Sequence, residues 1–206
     1  MGLAVVSTFA VYLLSDVLEV LGGGFSAAQL LLTFAAEAAI PFVVVGLCMA
    51  QRPRLGSLGE AGALALAFSY VLFAFTALYA LVDGAPDYRA LSGQFTLLFA
   101  ASGGLMLLGG LAFAVASLRA EVFPRWTAQA IMAGIVLVVA TQAAPDVVRL
   151  LPAALRDAGF IGMGVLLLHG RPIAESAETA SAAMDRWTAR SLVRLRPAAH
   201  PHRFGS

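Results

Sequence analysis

The chain is 206 residues long, 60% hydrophobic and only 12% charged, with a mean hydropathy of +0.87. Soluble domains carry about 25% charged residues, so this composition excludes an ordinary water-soluble globule. The balance of 13 basic against 12 acidic residues leaves a formal charge of +1, which gives no sign of a nucleic-acid partner; all the basic residues are Arg, so a lysine Schiff base is also excluded.

Charge-free apolar runs mark the elements, because a helix of about 20 apolar residues crosses a hydrocarbon core about 30 Å thick. The first run, 2–21, is interrupted by Asp16 and Glu19 and lacks a basic segment ahead of it, so it reads as a span and not as a cleaved signal. Gly22, Gly23 and Gly24 turn the chain back into 27–50, whose only charge is Glu37. Runs 61–82, 90–118 and 126–145 follow, each bounded by charged residues, with Phe123-Pro124-Arg125-Trp126 setting Pro at a helix start, Arg among headgroups and Trp in the aromatic belt. The apolar stretch 158–168 is too short by itself; beginning at Pro152, a favoured first helical residue, it becomes 152–170, with Arg156 and Asp157 near one membrane face.

The expected fold is therefore all-α: a polytopic membrane bundle of six transmembrane helices over 1–170, with the lipid bilayer as its solvent. With both termini inside, Arg52, Arg54, Arg119, Arg125, Arg171, Arg186, Arg190, Arg194, Arg196 and Arg203 fall on the cytoplasmic side, and Arg89, Arg149 and Arg156 on the other. That asymmetry follows the positive-inside bias. Residues 171–206 form an Arg-rich cytoplasmic tail, in which Met184, Trp187, Leu192 and Leu195 roughly share one face; an amphipathic helix on the inner leaflet and a solvated tail both fit, and the tail is a candidate surface for a protein partner.

Three carboxylates lie inside spans. Each costs about 2.5–3.5 kcal/mol near the bilayer centre unless it is protonated, paired or wetted. Tyr12, Asp16 and Glu19 follow i, i+4, i+7 and share one helix face. Glu37 sits mid-span on the neighbouring helix, and Pro41 is a candidate hinge there, since it has no N–H to donate to the carbonyl of Glu37. The outer half as a whole is acidic, with Asp83, Asp87, Asp146 and Asp157 added to these three; Arg149 and Arg156, seven apart, share a face if their helix begins before Pro152, and Arg156 is the best candidate partner for one of the acids. Tyr79, Gln94 and Gln142 are further candidates for lining a pocket. Glycines at 103, 104, 109, 110, 159, 162 and 164 read mainly as close-packing faces.

Several chemistries lack their residues. The single Cys48 makes no internal disulfide or zinc cluster, and His200 and His202 alone are no metal site. HExxH, a Ser–His–Asp set and a Gly-rich phosphate loop do not occur, so neither a metal nor a cofactor is expected. Residues 51–56 (Gln-Arg-Pro-Arg-Leu-Gly), 123–126 and 155–164 together resemble a group of multi-helix membrane proteins from high-GC actinobacteria, over most of 10–168. The resemblance implies a bacterial membrane protein, but the group has no known reaction and lends no functional residue.

The expected function is that of a multi-pass protein of the bacterial plasma membrane with an acidic, outward-facing cavity. The cavity binds or passes a small cationic or lipophilic ligand, with Glu37 as proton or ligand acceptor. Two alternatives stand beside it: a membrane enzyme using Glu37 and Asp16 as acid and base on an apolar, terpenoid-like substrate, and a structural or regulatory subunit.

Overall fold

The computed structural model describes residues 1–142 and 144–170. Its helices are α1 (Gly2–Gly22), α2 (Ala27–Gln51), α3 (Gly56–Asp83), α4 (Tyr88–Gln94), α5 (Thr96–Ala120), α6 (Arg125–Ala140) and α7 (Asp146–Leu168), with no strand among the described residues. The all-helical fold agrees with the sequence reading, and five helices (α1, α2, α3, α5 and α7) are long and apolar enough to cross a membrane. Membrane embedding follows from them. The expectations for the tail concern residues outside those described.

Local signals explain most boundaries. α1 ends where Gly23 adopts a left-handed conformation at φ 67° and its N–H reaches the Glu19 carbonyl, a position that disfavours any Cβ. Ser26 caps α2 by accepting from the Gln29 N–H at 3.2 Å. Gly84 closes α3, and Asp87 opens α4 by accepting from the Ala90 N–H at 2.8 Å.

Three expectations need correction. The fourth predicted span, 90–118, is two helices: the chain breaks at Phe95 (φ −116°, ψ 38°) and only α5 is a span candidate. The fifth is shorter than expected. α6 has 16 residues, about 24 Å at 1.5 Å per residue, and so falls short of the hydrocarbon thickness. The last helix begins at Asp146 and carries Pro152 inside it, not at its start. An interior Pro is costly in a soluble helix, but neighbouring helices make it tolerable in a membrane bundle. The longer α7 moves Arg156 and Asp157 from the expected membrane face to mid-helix.

The packing closes on itself. α1 lies against α2, α2 against α3, α3 against α5, α5 against α6, α6 against α7, and α7 against α1. α4 rests on the start of α5. Consecutive ring helices run antiparallel, so the C-terminal ends of α1, α3 and α6 meet the N-terminal ends of α2, α5 and α7. In a ring of six, the centre is as far from each axis as neighbouring axes are from one another, about 8–10 Å, so side chains alone decide whether it is filled.

One half of the ring is filled. The Phe9 and Phe160 rings stack at 4.4 Å with 1° between planes, and Phe113 continues the stack at 6.4 Å from Phe160. All three are fully buried, with Leu66, Ile131, Ile135 and Met163 around them. Small residues draw the walls together. A Cβ on Gly109 would lie 2.7 Å from the Leu66 nitrogen and 3.0 Å from the Gly62 carbonyl oxygen, so α3 and α5 touch backbone to backbone. Gly134 plays the same part where α6 meets α7, since its Cβ would sit 2.6 Å from the Cβ of Arg156.

Candidate functional site: an acidic chamber in the helix ring

The other half of the ring is open. A chamber of about 170 Å³ is lined by Tyr12, Asp16 and Glu19 from α1, Glu37 from α2, Phe73 from α3, Tyr88 from α4, Met106 from α5, and Arg149 and Arg156 from α7, with Gln142 at its mouth. It sits directly on the aromatic stack: Phe9 is less than a turn below Tyr12, and Phe160 about one turn below Arg156. The chamber is therefore blind towards the Met1 end of α1. At its other end it shares Glu19, Phe73, Tyr88, Met106, Gln142 and Arg149 with a vestibule of about 880 Å³.

The i, i+4, i+7 spacing on α1 brings Tyr12, Asp16 and Glu19 to the same space as Glu37, one antiparallel helix away. Tyr12 Oη donates to Glu37 Oε1 at 3.1 Å. Glu37 is 5% exposed, and no donor among the described residues reaches its second oxygen, Oε2. Across the chamber, Arg156 Nε donates to Asp157 Oδ1 at 2.8 Å, in an ion pair whose members are 4% and 0% exposed. The Arg156 guanidinium also stands 5.1 Å from the centre of the Tyr12 ring, within cation–π range.

Of the predicted candidates, Asp157, Pro41, Tyr79 and Gln94 do not line the chamber; Asp157 is fully buried and paired with Arg156. The acid that Arg156 pairs with is its sequence neighbour. Pro41 lies within an unbroken α2, one turn past Glu37. Of the further candidates, Gln142 lines the chamber mouth, whereas Tyr79 packs edge-on against Phe95 at 4.7 Å, away from it.

Tyr88, Tyr70 and Phe73 were not anticipated from the sequence, and Arg149 was anticipated only as a residue sharing a face with Arg156. Arg149 stands over the Tyr88 ring at 5.0 Å. Burial pushes the Tyr88 hydroxyl above its ordinary value of 10.0, so α4 presents a neutral phenol beside Arg149. Tyr70, fully buried, meets Tyr12 edge-on at 6.0 Å and Phe73 at 6.1 Å. Its hydroxyl, like Asp157 Oδ2, finds no partner among the described residues. The i, i+7 spacing of Arg149 and Arg156 was the one available signal, since it places both on a single face of α7.

Chemically, the chamber holds the carboxyl groups of Asp16, Glu19 and Glu37 and the guanidiniums of Arg149 and Arg156, the latter paired with Asp157. Its walls are aromatic on three sides. A buried polar atom without a partner costs about 1–3 kcal/mol, so Glu37 Oε2 is an acceptor held ready in a low-dielectric space. Such an arrangement favours a positively charged group that tolerates aromatic faces.

No protein-family model, curated protein or solved structure matches this chain.

Proposed function

We propose that the chain is a bacterial plasma-membrane protein of six spans with both termini cytoplasmic, whose chamber opens outward and binds a small organic cation. Five of the spans are the long apolar helices. α6 is the sixth, its short length accommodated by local thinning of the bilayer around it. The arginine asymmetry supports this orientation, with the aromatic stack towards the cytoplasm and the vestibule towards the outside.

The observation that carries the reading is Glu37: a carboxylate at mid-membrane depth, held by Tyr12 through one oxygen and offering the other to the chamber. The size agrees, since an apolar protein cavity of about 150 Å³ accepts benzene, and this one measures about 170 Å³. A cation the size of tetramethylammonium fits, with the carboxylates as counter-charge and Tyr12, Phe73 and Tyr88 as walls. Passage of the cation onward, including proton-coupled passage, requires the Phe9–Phe160–Phe113 stack to part.

The test is calorimetric titration of tetramethylammonium into the reconstituted full chain and into Glu37→Gln. At about 5 Å and an effective dielectric near 20, one charge contributes about 3 kcal/mol, so the substitution weakens binding on the order of 100-fold. Equal affinity in the two proteins, or no binding to either, defeats the reading.

A further inference from the structure

The ring is not sealed along its whole height. α5 has 25 residues, about 37 Å at 1.5 Å per residue, against about 24 Å for the 16 residues of α6. The two helices interlock at Gly110, where an added Cβ would strike the Ile135 side chain. Above that level they part. Gly103 and Gly104 have nothing within 4 Å of an added Cβ, and Val139, near the end of α6, is exposed. Along α5 the residues Thr96, Phe99, Ala100, Gly103 and Leu107 recur at helical spacing on the face that borders the vestibule.

Depth decides what this gap meets. α5 overhangs a 30 Å hydrocarbon core by roughly 3–4 Å at each end, and Gly103 lies about 10 Å below its start. Gly103 therefore stands at a depth roughly 7 Å inside the hydrocarbon, level with acyl chains on the outer side of the ring. The gap is also continuous with the chamber, because Met106 and Phe73 border both spaces. It thus leads from a buried, unpartnered carboxyl oxygen of Glu37 to the α5–α6 gap along an α5 wall of Phe99, Ala100, Gly103 and Leu107, while Asp87, Arg89, Gln142 and Arg149 line the vestibule elsewhere.

We propose that this gap is a lateral portal, and that the ligand is a single-chain cationic amphiphile whose head group occupies the chamber while its hydrocarbon tail leaves between α5 and α6. The proposal rests on the cation reading of the chamber and adds to it the chemical class of the ligand. Each end of such a molecule meets its match: the carboxylates take the charge, and the tail exits into the solvent it prefers. The glycines act here by lacking side chains where a chain must pass, whereas Gly62 and Gly109 lack them where two backbones meet.

The experiment uses the full chain in nanodiscs of phosphatidylglycerol, whose head group carries no cation. The probe is a dodecyltrimethylammonium with a diazirine at mid-chain, activated by light, with labelled peptides mapped by mass spectrometry. Labels are expected on residues 99–107 of α5 and on Val139, and excess tetramethylammonium should suppress them by about tenfold or more. Gly103→Trp should reduce labelling of Val139 by a similar factor while tetramethylammonium affinity stays within about twofold; Gly104→Leu repeats the test should the first variant fold poorly. Labelling indifferent to tetramethylammonium means that only bilayer-like chains visit the gap, and overturns the portal. Labels elsewhere, or unchanged labelling in both variants, overturn it too. If tetramethylammonium itself does not bind, the chamber reading fails and the portal fails with it.

Discussion

Removing Asp157 should do more harm than removing Asp157 and Arg156 together. In the wild type, Arg156 Nε donates to Asp157 Oδ1 at 2.8 Å, and neither residue is more than 4% exposed. Deleting one partner of a buried pair costs about 3–5 kcal/mol, because the other charge is left in a poor solvent. The Tyr12 ring, 5.1 Å from the guanidinium carbon, faces it in the wild type as well and so does not offset the loss. Asp157→Ala is therefore expected to lose about 3–5 kcal/mol, a large share of the 5–15 kcal/mol typical of folded proteins. Arg156→Met combined with Asp157→Leu removes both charges and keeps the volume filled, so it should stay within about 1 kcal/mol of wild type. The assay is reversible unfolding by SDS in mixed micelles, with the single variants Arg156→Met and Asp157→Leu completing a double-mutant cycle around the pair. A coupling energy of about 2 kcal/mol or more is expected. Additive losses, or a harmless Asp157→Ala, would refute the view that the pair neutralises itself. The same single variant bears on binding: a guanidinium released from Asp157 turns to the chamber carboxylates and competes with a cationic ligand, weakening tetramethylammonium about tenfold or more.

Two further outcomes follow from the packing. Gly109→Ala forces a methyl into the α3–α5 seam and should lower stability in the same assay by about 1–3 kcal/mol, whereas Gly103→Ala, with open space around it, should stay within about 0.5 kcal/mol; equal effects would contradict the distinction between seam and gap. Phe160→Ala removes the middle ring of the stack that closes the chamber from below, so proteoliposomes carrying it should leak tetramethylammonium faster than those carrying wild type, and an unchanged rate would mean that other side chains form the seal.

Much of the fold was legible because a bilayer imposes a length. The runs now seen as α1, α2 and α3 were bounded by the glycines 22–24, Glu60 and Asp83, although α3 begins earlier, at Gly56, with Glu60 in its first turns. The break at Phe95 was not legible. Leu91, Phe95, Leu98 and Phe99 read as one apolar run, and what separates α4 from α5 is backbone geometry that composition does not encode. The start of α7 was missed for the opposite reason: Pro152 is a strong local signal, and tertiary packing overrode it.

Within the site, Asp16, Glu19 and Glu37 stood out because charge in an apolar run demands an explanation, and helical spacing already put two of them on one face. Partner choice was beyond the sequence. That Arg156 pairs with Asp157, that Arg149 stands over Tyr88 and that Tyr70 meets Tyr12 all depend on how each helix is rotated about its axis. In α3 and α5 the apolar residues run all round the helix, so the sequence gives no face to orient by.

Tetramethylarsonium offers the most direct measurement. It copies the shape and charge of tetramethylammonium and carries an atom that scatters X-rays anomalously. In a crystal of the full chain grown with it, one anomalous peak is predicted inside the ring, within about 6 Å of the Tyr12 ring and beside Glu37 Oε2, and absent from Glu37→Gln crystals treated alike. A chamber without a peak, or a peak that persists at the same height in the variant, would contradict an intramembrane carboxylate held ready for a cation.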